Sequence, residues 1–206
     1  MKASPKVRKV AEADFPTRWG AFRIFGFEGS SSSDGQPSAE TLVALVMGDV
    51  HSRPPLVRVH SQCLTGDVFG SLRCDCRQQL EMALSMIAAE GAGVLIYEQQ
   101  EGRGIGLAAK LKAYELQDAG MDTVEANEKL GFKADQREFE LPAEVLKALK
   151  LSEVRLLSNN PQKVTALERA GVKVVERVSC EVEPHARSRA YMKTKKEKLG
   201  HLIGNR

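Results

Sequence analysis

Three cysteines fall within fourteen residues as Cys63-x10-Cys74-x-Cys76, among Asp67, Arg73, Asp75 and Arg77. Thiolates are favoured zinc ligands, and three protein ligands with one open position describe a catalytic zinc site. Cys76 opens a predicted helix, where the positive end of the dipole favours a thiolate. Two other readings stand beside this one. The cysteines could be buried free thiols, which pack as small apolar residues. A zinc ion could instead be structural, with His60 or Cys180 as its fourth ligand. The spacing fits neither a zinc ribbon nor a finger, which need two CxxC-like halves.

Two loops could receive an anion. Glu101-Gly102-Arg103-Gly104-Ile105-Gly106 follows a predicted strand and opens a helix. Glycines there let backbone approach a ligand, and helix N-terminal amides favour phosphate. The run is one residue short of the dinucleotide fingerprint and lacks the Lys-Ser/Thr of a P-loop. A plain structural turn is the competing reading, and Arg103 tilts the balance toward an anion. Ser158-Asn159-Asn160-Pro161-Gln162-Lys163 is the second loop. Lys163 falls in the first turn of its helix, where the dipole disfavours a cation unless a phosphate offsets it. A surface lysine on a capped helix is the alternative. Asp135 and Arg137 could act as base and anion clamp or form an ordinary surface ion pair. Tyr114 lies on the inner face of its helix, as core or as catalyst, and His60 could bind a base or fill space.

The elements that must hold these residues mix strand and helix. Phe22–Phe27 and Leu42–Val46 read as a hairpin joined by the Ser/Gly-rich loop over 29–38. Leu56–Val59, Val94–Tyr97, Val154–Leu157 and Val172–Val175 read as strands. Cys76–Glu90 reads as a helix with Leu80, Ala83, Leu84 and Ile87 on one face. Gly106–Asp118 reads as a second amphipathic helix carrying Leu107, Leu111, Tyr114 and Leu116, and Asp122–Leu130 and Pro142–Leu149 as two more. Asn160 as cap, Pro161 at the first helical position and Gly171 beyond the end delimit another. The expected class is α+β, a mixed sheet flanked by helices in one domain over 1–183, with a basic tail over 184–206.

Of the 206 residues, 42% are hydrophobic and 28% charged, an ordinary balance for a globular protein able to bury a core without disulfides. The longest apolar runs are too short to cross a bilayer, and the charged N-terminus lacks the core of a secretion signal. The expectation is a cytoplasmic protein with no membrane partner, in which clustered cysteines serve metal or catalysis. The net charge of +3 hides a tail with seven Lys/Arg and one Glu. That tail is either a solvated, partly ordered segment or a basic arm over an anionic ligand. No aromatic-rich RNA motif accompanies it, so nucleic acid is not an expected partner.

Together these stretches resemble the GTP cyclohydrolase II family of riboflavin synthesis. The matching runs are RVHSQCLTGDVFGSLRCDC from Arg58, EGRGIGL from Glu101, TVEAN from Thr123, LGFKADQR from Leu130 and LLSNNPQK from Leu156, within a likeness from about Val7 to Ile203. The resemblance implies one catalytic zinc per subunit on Cys63, Cys74 and Cys76. It implies a GTP pocket of Arg58, Val59, His60, Ser61 and Gln62 with Glu101, Gly102 and Arg103, extended by Gln79, Thr123, Ser158 and Lys163. Asp135 would accept a proton and Tyr114 assist at the ring. Arg137 would act as a nucleophile toward the α-phosphate or, more simply for a permanently charged guanidinium, as a clamp on it.

Water activated at zinc would open the imidazole ring at C8 and release formate. Pyrophosphate would leave separately, with magnesium on the triphosphate. The product would be a diaminopyrimidine ribosylamino 5′-phosphate. The resemblance also implies a homodimer, and the length of the chain leads to the expectation of a stand-alone form, without the dihydroxybutanone phosphate synthase to which such domains are often fused. Gln62 stands where a Glu is common, removing a carboxylate beside a zinc ligand, and Ser158 replaces Thr while keeping the hydroxyl. A relative with partial chemistry or another pathway, and a non-catalytic zinc-stabilised nucleotide module, are the alternative functions. Tyr114, Asp135 and Arg137 argue against the second of these.

Overall fold

The computed structural model describes residues 6–31, 38–183, 185, 188–202 and 204. Strands β1 (Lys6–Thr17) and β2 (Gly20–Ser31) form a long antiparallel ribbon, and β2 pairs in turn with β3 (Ser38–Met47). The expected hairpin is present, and the central part of its Ser/Gly-rich loop, 32–37, lies outside the described residues. Four shorter strands follow: β4 (Leu56–Ser61), β5 (Gly93–Glu98), β6 (Glu153–Leu157) and β7 (Lys173–Val178). The sheet order is β1-β2-β3-β5-β4-β6-β7. Pairing is antiparallel from β1 to β5 and parallel through β5, β4, β6 and β7. This is the mixed sheet of the expected α+β class.

Helices cover both faces. Helix α1 (Cys76–Glu90) buries Ala83, Leu84 and Ile87 against Leu56, Leu95 and Leu157. At the crossing, a side chain on Gly93 would sit 2.8 Å from the Leu56 carbonyl and 2.9 Å from Ile87, so the close approach of helix and sheet requires glycine. Helices α2 (Gly106–Asp118) and α3 (Thr123–Lys129) precede α4 (Glu140–Ala148) in the β5–β6 crossover, and α5 (Pro161–Arg169) joins β6 to β7. Helix α4 lays Leu141, Val145 and Leu146 on the opposite face, over Val57, Val59, Val94 and Ile96. The strand period of two explains the split: Val94 and Ile96 point to α4, Leu95 between them to α1. Each such fully buried side chain contributes roughly 1.5–3 kcal/mol.

One predicted element departs from the sequence reading. Helix α2 does not lay its leucines in the core: Ala113 is its buried residue, and Leu111 is 48% exposed. Its inner face is instead Lys110, Ala113, Tyr114 and Gln117, which line a cleft. Within the basic segment, residues Arg189–Glu197 form a further helix, α6. No helix among the described residues is long and apolar enough to cross a membrane.

Candidate active site

The parallel strands β4, β5 and β6 end at one edge of the sheet, and each runs into a loop that carries chemistry. This is where open α/β sheets hold their ligands. After β4 the chain passes Cys63 and makes one π-helical turn, Leu64–Val68, before reaching Cys74 and, at the first residue of α1, Cys76. The three Sγ atoms lie within 4.8 Å of one another, with Cys63 and Cys74 3.7 Å apart. Sulfurs on one tetrahedral zinc stand about 3.8 Å apart, given Zn–S bonds of about 2.3 Å.

The π-helical turn lies directly on the sulfurs. A side chain on Gly66 would come within 2.9 Å of Cys74 Sγ and 3.1 Å of Cys63 Sγ. Asp67 fastens the turn by accepting the Cys63 amide at 3.0 Å, the Tyr97 hydroxyl at 2.9 Å and His60 Nε2 at 3.1 Å. His60 is buried, stacks on Tyr97 and is kept neutral by that burial. It serves Asp67 and does not join the sulfurs. Cys180 is fully buried in the α1 core. The two candidates for a fourth protein ligand therefore stand apart, and no other His, Cys, Asp or Glu among the described residues completes the group.

The electrostatics of the thiols fit a cation. Hydrogen bonds from Cys74 and Cys76, together with the Lys110 ammonium 3.1 Å away, hold Cys63 as a thiolate. That thiolate pushes Cys74 up to about 11 and Cys76 well above the usual thiol range, helped by their burial. A divalent cation among the three sulfurs is what allows all of them to ionise together. Lys110 also donates to Glu101 Oε1 at 2.7 Å, while Glu101 Oε2 accepts the Leu64 amide at 2.7 Å. Both Glu101 oxygens are thus engaged in tying the loop after β5 to the cysteine loop.

That second loop is a 3-10 turn, Glu101–Gly104, in which Gly102 and Arg103 both adopt left-handed backbone, φ 63° and 64°. For a non-glycine residue this conformation costs about 1–2 kcal/mol. It aims the Arg103 guanidinium into the cleft, where both terminal nitrogens are buried without a hydrogen-bond partner. The third loop follows β6. The Asn160 side chain caps α5 by accepting the Gln162 amide, with Pro161 at the first helical position, as the sequence predicts. The Ser158 hydroxyl accepts the Asn160 amide at 3.1 Å. Lys163 is not on the surface: it is buried, donates to the Val59 carbonyl at 2.7 Å and has its pKa brought down to about 7 by that burial.

The cleft has two ends. One, of about 660 Å³, is bounded by the three thiols, Gln62, Glu101, Gly102, Tyr114 and Thr123. The other, of about 560 Å³, is bounded by Arg58, His60, Gln79, Ser158 and Lys163. Ser61, Arg103 and Arg137 border both. Arg58 donates to the Leu157 carbonyl and to Gln79, which passes the chain of hydrogen bonds to Asp75 at 2.6 Å. Asp135 is not on the cleft wall. It binds Arg137 through both carboxylate oxygens, and that guanidinium holds Asp135 below the usual carboxylate range despite its burial. The Tyr114 hydroxyl shares a hydrogen bond with Thr65 at 3.0 Å, and its pKa is raised by burial. Val59 is in the core, and only its carbonyl reaches the site.

Comparison with known proteins agrees with this architecture. Residues 8–179 match the family model described as GTP cyclohydrolase II. The chain belongs to the GTP cyclohydrolase II family. A GTP cyclohydrolase-2 of Enterobacter sp. is 54% identical over 199 residues, 96% of this chain and 98% of its own. One from Buchnera aphidicola is 53% identical over 94% of this chain and 97% of its own. The riboflavin biosynthesis protein RibBA of Chlorobium phaeovibrioides is 53% identical over 98% of this chain, which spans only 48% of that longer protein.

Some polar residues of this cleft carry little signal in the sequence. Glu98 is fully buried at the end of β5, where it accepts the Ser61 hydroxyl at 2.6 Å and Gln100 at 3.0 Å and lies 4.0 Å from Lys163. A charged residue at the end of an apolar strand is its only signal in the sequence. In sequence, Lys110 is one more charge on an amphipathic helix. Tyr191, Lys195 and His201 of the basic segment border the cation-lined end. The i, i+4 spacing of Tyr191 and Lys195 could have marked one helix face.

Proposed function

We propose that this chain carries out zinc-dependent hydrolysis of GTP, opening the guanine imidazole ring and releasing formate and pyrophosphate, as the first step of riboflavin synthesis. The observation that carries the reading is a metal-ready thiol cluster sharing one cleft with Arg58, Arg103, Arg137 and Lys163. A purine at the thiol end and phosphates at the cation-lined end satisfy both halves. Cys63, Cys74 and Cys76 would hold the zinc. When bound, it supplies Lewis acidity and activates water at neutral pH.

The chain's own residues then have distinct tasks. Arg58 and Lys163 take phosphate oxygens, with Gln79, Ser158 and the Arg103 guanidinium beside them, and magnesium rides on the triphosphate. Arg137 works as a clamp. Burial would lower its pKa, but the Asp135 carboxylate outweighs this and keeps it charged, so it is a poor nucleophile. A phosphate that draws Arg137 toward itself loosens its hold on Asp135. The freed carboxylate becomes the stronger base and accepts a proton. Tyr114, a neutral phenol beside the thiols, offers a proton at the ring, and Thr123, Gln62 and the Gly102 turn border the base.

The same reading takes the protein as a cytoplasmic homodimer, consistent with four free thiols and with an edge strand, β1, that leaves Val10 and Phe15 exposed. The test is incubation with GTP, zinc and magnesium, assayed for formate and pyrophosphate. Both products support the proposal. Pyrophosphate without formate indicates a relative with partial chemistry, and the absence of both products overturns the reading.

A further inference from the structure

The basic C-terminal segment is fastened to two of the loops that build the cleft and to helix α3 beside it. Lys195 Nζ donates to Asp75 Oδ1 at 2.5 Å, on the cysteine loop between two of the thiols. The Leu202 amide donates to the Asn159 carbonyl at 2.9 Å, on the loop after β6. Lys198 pairs with Asp122 and Glu125, the capping box of α3. Asp75 is fully buried, and its two oxygens are taken by Lys195 and Gln79. Without α6, one of these oxygens loses its partner, a costly change for a buried carboxylate.

The charges at this end do not balance. Arg58, Arg103, Arg137 and Lys195 border it, with Lys163 adding a charge when protonated, against the buried carboxylates Asp75, Glu98 and Asp135 that pair with or approach them. The Tyr191 ring stands between two of the cations, 5.4 Å from the Arg103 guanidinium and 4.6 Å from Lys195 Nζ. Arg103 is held there with its terminal nitrogens unpartnered. A buried excess of cations with free donors calls for a polyanion.

We propose that residues 188–202 form a wall of the phosphate end of the site, with Lys195 contacting the phosphate chain and Tyr191 acting as a positioning residue that stacks Arg103 and Lys195. The proposal rests on the reading of this site as one for GTP. It makes helix α6 part of the recognition surface and gives the basic residues of the segment unequal tasks. Lys195 faces the ligand from within, whereas Lys198 is an outer fastening, 41% exposed at its side chain.

The test is calorimetric binding of a GTP analogue with a methylene bridge between the α and β phosphates, alongside guanosine, to the full-length chain. Lys195→Met is expected to weaken the analogue at least tenfold and guanosine less than twofold, with Lys195→Arg recovering most of the loss. Tyr191→Leu is expected to weaken the analogue similarly and Tyr191→Phe, which keeps the ring, to restore it. Circular dichroism checks folding, and if Lys195→Met is unfolded the Tyr191 pair decides. Unchanged analogue binding in folded Lys195→Met or in Tyr191→Leu, or equal losses for analogue and guanosine, would overturn the proposal. Failure of the unmodified chain to bind the analogue would instead bring down the GTP reading beneath it.

Discussion

Gly66→Ala isolates the link between the π-helical turn and the metal. Gly66 has no positive φ, so alanine is compatible with its backbone. The difficulty is space: the new methyl would lie 2.9 Å from Cys74 Sγ, 3.1 Å from Cys63 Sγ and 3.2 Å from Cys76 Cβ. Ordinary contact needs about 3.5–4.0 Å, so the nearest sulfur must retreat by about 0.6 Å. Metal ligands tolerate about 0.2 Å. Without metal, the cysteine side chains can rotate away and the fold survives. With metal, they are fixed, and overpacking of about 1–3 kcal/mol falls on binding, a loss of about 5- to 150-fold in zinc affinity. Chelator competition measures the affinity, and the melting temperature of the metal-free protein serves as control. Zinc affinity within twofold of the unmodified chain would refute the argument that this turn is shaped to the thiol cluster.

Cys74→Ser should abolish formate release while the far-ultraviolet circular dichroism stays native; collapse of the fold would mark the metal as structural. Arg103→Gly removes the left-handed strain of about 1–2 kcal/mol together with the buried guanidinium, so the melting temperature should hold or rise while binding of the GTP analogue falls more than tenfold. Lys163, with its pKa brought to about 7 by burial, is mostly neutral at pH 8, and an anion bound beside it restores the charge. Analogue binding at pH 8 should therefore take up protons, seen by calorimetry in buffers of different ionisation enthalpy; no uptake would remove Lys163 from the phosphate site. The same depression means that between about pH 7 and the ordinary lysine range near 10.4 the unfolded chain binds more protons. This group's contribution to stability thus rises with pH across that window and is lost as pH falls toward 7.

What the sequence disclosed depended on how local each signal is. Helix α5 is written in consecutive residues, Asn160-Pro161 before it and Gly171 after, and α1 in the recurrence of Ala83, Leu84 and Ile87. Strand β1 carries no such mark. It is exposed on nearly every residue, and its ladder to β2, bordered by ion pairs such as Arg8–Glu28, is visible only once the partner is known. Helix α2 misled because its leucines suggest a core, whereas the cleft takes the face through Lys110, Ala113, Tyr114 and Gln117. The thiol cluster was legible because its ligands lie close in sequence and their chemistry is narrow. Lys195 was not, because its partner Asp75 lies 120 residues away. Charge that reads as solvated in one dimension is buried in three.

Asp75 sits between Cys74 and Cys76 and accepts from Gln79 and Lys195, the first of which holds Arg58. The backbone that sets two of the three clustered thiols therefore also sets the carboxylate on which the cationic wall is hung. For a metal and a nucleotide bound as proposed, linkage would make the two events reciprocal: whatever factor the first adds to the affinity for the second, the second adds to the affinity for the first. Under the proposed function, one buried aspartate then joins the turn that would hold the metal to the wall that would hold the phosphates.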